Sequence, residues 1–257
     1  MFCLGKTDIG MKRNVNQDCF KCTEFNSTTV LAVVCDGMGG AAGGEIAGNL
    51  AAQTFTDFVS TYAKELTKKK LLTRTDENKI KSILRNAVAK ANRAVFERTE
   101  DDISLRGMGT TLVATLLCCG TLFTVNVGDS RMYLVTEGSI RQISHDHSYV
   151  QFLIDTGRIT PEDAKTSNNR NIITRAVGTD ETVEADVYIN RAVKGGYVLL
   201  CSDGLVNFVP AEEMYNTISD IGDNVTEEAI DECLDTLILA ANTAGGSDNI
   251  TAVLMAL

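Results

Sequence analysis

Two stretches of this chain are apolar at almost every position and end close to an Asp-Gly pair: residues 30–35 run into Asp36-Gly37, and residues 198–201 into Ser202-Asp203-Gly204. An alternating strand can leave one face in water, but a continuous apolar run has to be covered on both faces. Whatever this chain folds into must therefore place these two strands inside, between layers, and deliver an acid at the end of each.

Helical periodicity predicts the covering layers. A first helix is expected from residue 45 to about 66, with Ile46, Leu50, Phe58, Tyr62 and Leu66 at steps of four or eight. A second, from about residue 76 to 99, carries Ile80, Ile83, Leu84, Ala87, Val88, Ala91 and Val95 on one stripe. A third starts at Thr226, whose hydroxyl is a suitable cap, with Glu227 and Glu228 in the first turn, and buries Ile230, Cys233, Leu234, Leu237 and Ile238. Between residues 110 and 143 the chain reads as a meander of strands over 112–118, 122–127, 132–135 and 139–143, broken at Gly120, Gly128-Asp129 and Glu137-Gly138. Helices grouped apart from runs of strands point to an α+β fold, with sheets packed together and helices outside. The polar segment 145–178 has one apolar patch, residues 150–154, and is expected to leave the core.

No linker-like stretch divides the 257 residues, so 1–257 is read as a single domain. A net charge of -10 argues against a nucleic-acid partner, whose phosphates demand clustered Lys and Arg. The run Lys68-Lys69-Lys70 is read as a solvated helix end. No apolar stretch reaches the roughly 18 residues of a membrane helix and the start lacks a signal-peptide core, so a cytoplasmic protein without a membrane partner is expected. Most of the eight cysteines lie in apolar runs as small core residues, and no disulfide is expected.

Asp36, Asp129 and Asp203 each follow an apolar strand, and Asp248 precedes another at residues 250–254. A single Asp-Gly is far more often a turn than a ligand, but four acids in comparable positions can converge on one spot. Carboxylates so crowded cannot all ionise unless a cation sits among them. Hard oxygen donors favour Mg2+ or Mn2+, and Gly37, lacking a Cβ, can offer its carbonyl or let an ion approach closely. Two ions about 4 Å apart would orient water for in-line attack on phosphorus.

Other chemistries lack their residues. No cysteine has an arginine six positions on, as a cysteine phosphatase loop requires, and no G-x-S-x-G is present. Residues 39–45 resemble a phosphate cradle, but Glu45 stands where a P-loop has lysine. Those glycines let backbone pass close to the acids, or else form a flexible turn before the helix. Cys19-x-x-Cys22 is a weak zinc signal without a second pair, and His145-Asp146-His147 reads as a hydrogen-bonded loop cap.

Six segments together carry a resemblance: residues 10–18 (GMKRNVNQD), 34–40 (VCDGMGG), 107–111 (GMGTT), 127–131 (VGDSR), 202–205 (SDGL) and 247–251 (SDNIT). Their order resembles the type 2C metal-dependent protein phosphatases (the PPM family), bacterial branch, over nearly the whole chain. The resemblance implies a β-sandwich of two antiparallel sheets flanked on both sides by α-helices, a four-layer αββα arrangement, with a flap at about 145–178 beside the active site. It implies that Asp36 bridges two Mn2+ or Mg2+ ions, that Gly37 gives its carbonyl to one, and that Asp203 and Asp248 hold the other. A third ion would fall on Asp129 and Asp203. Asp18 would orient the attacking water and Arg13 would grip the substrate phosphate. Met38 departs from eukaryotic relatives, which place histidine there as general acid, so the proton for the departing oxygen must come from elsewhere.

The implied activity is hydrolysis of phosphoserine and phosphothreonine in proteins, by a monomer whose partners are phosphoprotein substrates and a cognate Ser/Thr kinase. A non-catalytic phosphoprotein-binding relative would lack a ligand acid, and none is missing. A hydrolase of small phosphoesters is the other rival, distinguished by faster turnover of metabolites.

Overall fold

Both apolar runs become inner strands: β3 (Thr29–Met38) lies between β2 (Asp18–Asn26) and β5 (Leu112–Cys118), and β10 (Tyr197–Cys201) between β7 (Arg131–Thr136) and β11 (Ile250–Ala256). The computed structural model describes residues 2–222 and 225–257. Among these residues one sheet has the order β1-β11-β10-β7-β8, with β1 at Cys3–Asp8 and β8 at Ser139–Gln142. The other has the order β2-β3-β5-β6-β9, with β6 at Thr121–Val127 and β9 at Asp186–Arg191, and the short β4 (Gly109–Thr110) extends beside β3. Every strand pair is antiparallel.

Alternation along β3 shows why both faces had to be apolar. Val30, Ala32 and Val34 point into the space between the sheets and pack with Met132, Leu134, Val198, Leu200, Val253 and Met255. Leu31, Val33 and Cys35 point the other way, into the layer beneath helices α1 (Gly40–Ser60) and α3 (Arg74–Asp101). On the far side, Leu199, Cys201, Ala252 and Leu254 pack against α6 (Asp203–Val206), α7 (Ala211–Ser219) and α8 (Glu227–Thr243). Full burial of each such Leu or Val contributes about 1.5–3 kcal/mol. The result is the expected four layers of helix, sheet, sheet and helix.

Local chemistry sets the helix ends. Thr73 and Asp76 form a capping box on α3, and the Thr226 hydroxyl accepts from Ala229 N (3.1 Å) to start α8. All eight cysteines are free. No helix among the described residues is long and apolar enough to cross a membrane.

Two expectations are corrected. The first helix begins at Gly40 and not Glu45, and stops at Ser60 before a separate turn, α2 (Ala63–Leu66). Glycine is a poor helix former, but here close packing of the helix start on β2 and β3 outweighs propensity. The supposed meander is split between sheets: β5 and β6 pair in one, β7 and β8 in the other, and the chain crosses over at Gly128-Asp129-Ser130. The sequence reading also named no helix at 203–206 or 211–219. The segment 145–178 does leave the sheets, carrying α4 (Tyr149–Asp155) and α5 (Pro161–Lys165).

Candidate active site

Strand pairing gathers acids that are far apart in sequence. The β2–β3 register sets Asp18 directly across from Asp36. Because β10 pairs antiparallel with β11, Cys201 opposite Ala252, the chain beyond one and before the other emerges at the same edge, bringing Asp203 beside Asp248. Asp129 sits at the corner where the chain changes sheets. Two glycines permit this crowding. A Cβ on Gly204 would collide with the Asn249 carbonyl, and one on Gly37 would collide with the Gly44 carbonyl and come 2.7 Å from Gln17 O. The glycine-rich segment thus serves close approach; the flexible-turn alternative does not hold, since Gly40 onward is helix.

Arg13, Asp36, Gly37, Asp129, Asp203 and Asp248 all line one cleft of about 580 Å3, and Asn171 and Ile173 from the 145–178 segment form part of its wall. That segment is tied down beside it, with Thr174 N donating to His147 O (2.8 Å) and Val177 N to Thr110 O (2.8 Å). Asp18 lies deeper, only 7% exposed.

The acids feel one another. Burial, followed by the charges of Asp18, Asp203, Asp129 and Asp248, pushes the Asp36 carboxyl well above the usual carboxylate range. Burial and then Asp203 push Asp129 up to about 7, and burial and then Asp248 push Asp203 up to about 6. Asp18 rises to about 7, chiefly by burial, although Ser202 Oγ donates to its Oδ2 (2.7 Å) and opposes the rise. Its other oxygen, Oδ1, is buried without a hydrogen-bond partner. Arg13 Nη2 donates to Asp248 Oδ2 (2.7 Å), and half of the arginine side chain is exposed.

These groups fit hard divalent cations. The donors are all oxygen, mutually repelling and partly open to the cleft, and one buried carboxylate oxygen has no partner. Among the described residues no three His, Cys, Asp or Glu side chains form a ready cage around one point. Ions of the Mg2+ type take one or two carboxylates and complete their shell with water.

Several supporting residues lie in the segments that carry the resemblance but had no role assigned to them there. Thr111 Oγ1 accepts from Asp36 N (2.9 Å) and shares a hydrogen bond with Ser130 Oγ (2.7 Å), locking the Asp36 strand end to the Asp129 corner. Ser202 Oγ bridges Asp18 and Thr251 N (3.0 Å). Conversely, Cys19 faces the helices and Cys22 the opposite sheet, so they cannot share an ion. His147 Nδ1 accepts from Gly128 N (3.1 Å), and Asp146 pairs with Arg131, the expected cap beneath the cleft.

Residues 11–254 match the family model described as protein phosphatase 2C. The chain belongs to the protein phosphatase 2C family. A relative, the "Serine/threonine phosphatase stp" of Listeria welshimeri, is 36% identical over 250 residues, covering 97% of this chain and 93% of that one. Among solved structures, the Mycobacterium tuberculosis serine/threonine phosphatase PstP/Ppp superposes with a TM-score of 0.82 at 33% identity, over 98% of this chain and 97% of that one. The PstP catalytic domain in complex with two manganese ions superposes at 0.79 with 33% identity, over 98% and 96%.

Proposed function

We propose that this chain is a protein-serine/threonine phosphatase of the bacterial type, hydrolysing phosphoserine and phosphothreonine by direct attack of water. In this reading Asp36, Gly37, Asp203 and Asp248 would hold two Mn2+ or Mg2+ ions, and Asp129 with Asp203 would hold a third. Such ions, when bound, would polarise the phosphoryl oxygens and lower the pKa of water. The observation that carries the reading is the convergence of four acids, brought from residues 36 to 248, on one cleft with Arg13 at its edge.

Each residue then has a distinct task. The Arg13 guanidinium presents a planar fork of donors matched to a phosphate, and its neighbour Asp248 keeps it at the cleft until substrate arrives. Asp18 offers its free Oδ1 as an acceptor that orients water, while Ser202 holds Oδ2. Asn171 and Ile173 give the 145–178 segment a substrate-facing edge. A Ser/Thr kinase that writes the phosphates and a cytoplasmic site of action are proposed from the family resemblance.

The test is phosphate release from a phosphothreonine peptide. Activity is expected with Mn2+, and is expected to vanish in Asp36→Asn and in excess EDTA. Release that persists undiminished in excess EDTA would overturn the mechanism.

A further inference from the structure

Asn249 is 5% exposed and adjoins Asp248, yet its side chain turns away from the acids. Its Nδ2 donates to Ile9 O (3.0 Å) and Val15 O (3.0 Å), and its Oδ1 accepts from Gln17 N (2.8 Å). Both amide hydrogens and the carbonyl oxygen are thus engaged by backbone groups of one loop, residues 9–17, at one point before Arg13 and two after it. The loop is otherwise exposed from residue 11 to 15. The bonds continue outward: Gln17 O accepts from Gly37 N (3.1 Å) and Gln17 Nε2 donates to Gly40 O (2.8 Å).

We propose that Asn249 is the positioning residue for Arg13: its amide clamps the loop at both ends and so sets where the guanidinium stands in the cleft. Arg13 is long and half exposed, and the side-chain hydrogen bond it makes is to Asp248, the neighbour of Asn249. Its placement therefore depends on where its backbone is held. Binding a phosphate through a fork of donors is sensitive to orientation, and a loop that wanders must be ordered at the expense of affinity. Aspartate could not replace this residue, because it would aim a second acceptor, and a charge, at two carbonyl oxygens. The same side chain couples the Asp248 strand end to Gln17, and through it to Gly37, so that the phosphate-gripping loop and the acids keep a fixed relation.

The proposal rests on the phosphatase reading, and its test separates the two. In Asn249→Ala, exchange of the hydrogen-bonded loop amides should quicken by about tenfold or more, at Gln17, which loses its acceptor, and at Met11, whose bond to Gly246 O (2.7 Å) is kept but whose loop is released, while the sheets keep their protection. KM for a phosphothreonine peptide should rise about tenfold with kcat within about threefold, since substrate binding through Arg13 is what is lost. Arg13→Ala should raise KM comparably, and the double variant should be no worse than the more impaired single one. Thr73→Ala, which removes the remote cap of α3, should lower stability without moving KM. If Asn249→Ala does not fold, Asn249→Ser, which keeps one hydroxyl for one partner, is read in the same way. Unchanged exchange over residues 9–17, or KM effects that multiply in the double variant, would overturn the proposal. If the unaltered protein released no phosphate the phosphatase reading would fail, while the exchange measurement would still decide the clamp.

Discussion

Asp18 and Asp36 stand directly opposite one another on β2 and β3, two carboxylates at a cross-strand position where like charges destabilise. Both are pushed above the ordinary carboxylate range, burial being the first cause in each. Such a pair is a cost to the metal-free fold, retained for what the acids do together.

Neutralising one of them should therefore stabilise the metal-free protein while destroying its chemistry. Asp36→Asn is expected to melt higher than the unaltered chain in EDTA, by about 2–4 °C for each kcal/mol of repulsion and desolvation relieved. Phosphate release should fall by orders of magnitude. Thermal melts in chelator, paired with the peptide assay, check both halves.

The converse holds for adding the ion. Mn2+ that binds the folded chain only should stabilise it by about 2.7 kcal/mol when free ion reaches 100 times its Kd. That corresponds to roughly 5–10 °C for a chain of this size. In Asp203→Asn the shift should shrink or disappear, as differential scanning calorimetry would show.

Much of this arrangement was legible because hydrophobic burial leaves a pattern. Residues 30–35 and 198–201 announced inner strands, and the stripes around Leu84 and Leu234 announced their covering helices. Asp36, Asp203 and Asp248 stood out as acids at the ends of such runs. What stayed hidden depended on tertiary partners. Gly40–Ser60 is helical from its glycines because Gly44 packs on Gly37, a contact with no local signature. The change of sheet at Asp129 looks like any hairpin turn in sequence. Asn249 and Ser202 act through hydrogen bonds to groups well over a hundred residues away, which periodicity cannot reveal.

Beneath the cleft, Arg131 meets Asp146 through Nε (2.9 Å) and Nη2 (2.7 Å) on the same carboxylate, whose side chain is 6% exposed. Removing Arg131 leaves the Asp146 charge buried with the neutral Gln142 amide (2.8 Å) as its remaining side-chain partner among those described. Arg131→Met should cost about 3–5 kcal/mol, whereas Arg131→Met with Asp146→Leu should recover much of it. Urea unfolding of the three proteins measures the difference.

His147 links stability to pH. Its Nδ1 accepts from Gly128 N, and its Nε2 lies between Asp186 Oδ2 (3.2 Å) and Arg175 Nη1 (3.1 Å). Burial lowers its pKa, Asp186 opposes this, and the Arg175 guanidinium adds to the lowering. The unfolded chain then binds the proton more readily, so the contribution is present above the ordinary histidine pKa of about 6.5 and is lost as pH falls below it. The raised carboxyls of Asp18, Asp129 and Asp203 act in the opposite sense over the same range, so the His147 share is read by difference: His147→Asn keeps an acceptor for Gly128 and, relative to the unaltered chain, should gain melting temperature between about pH 7 and 5.

The central claim is that Asp36, Asp203 and Asp248 meet because divalent cations neutralise them there. Anomalous diffraction from crystals soaked in Mn2+ tests it most directly. Manganese peaks are expected in the cleft against these three side chains. Peaks confined to other surfaces, with the cleft empty at saturating Mn2+, would contradict it.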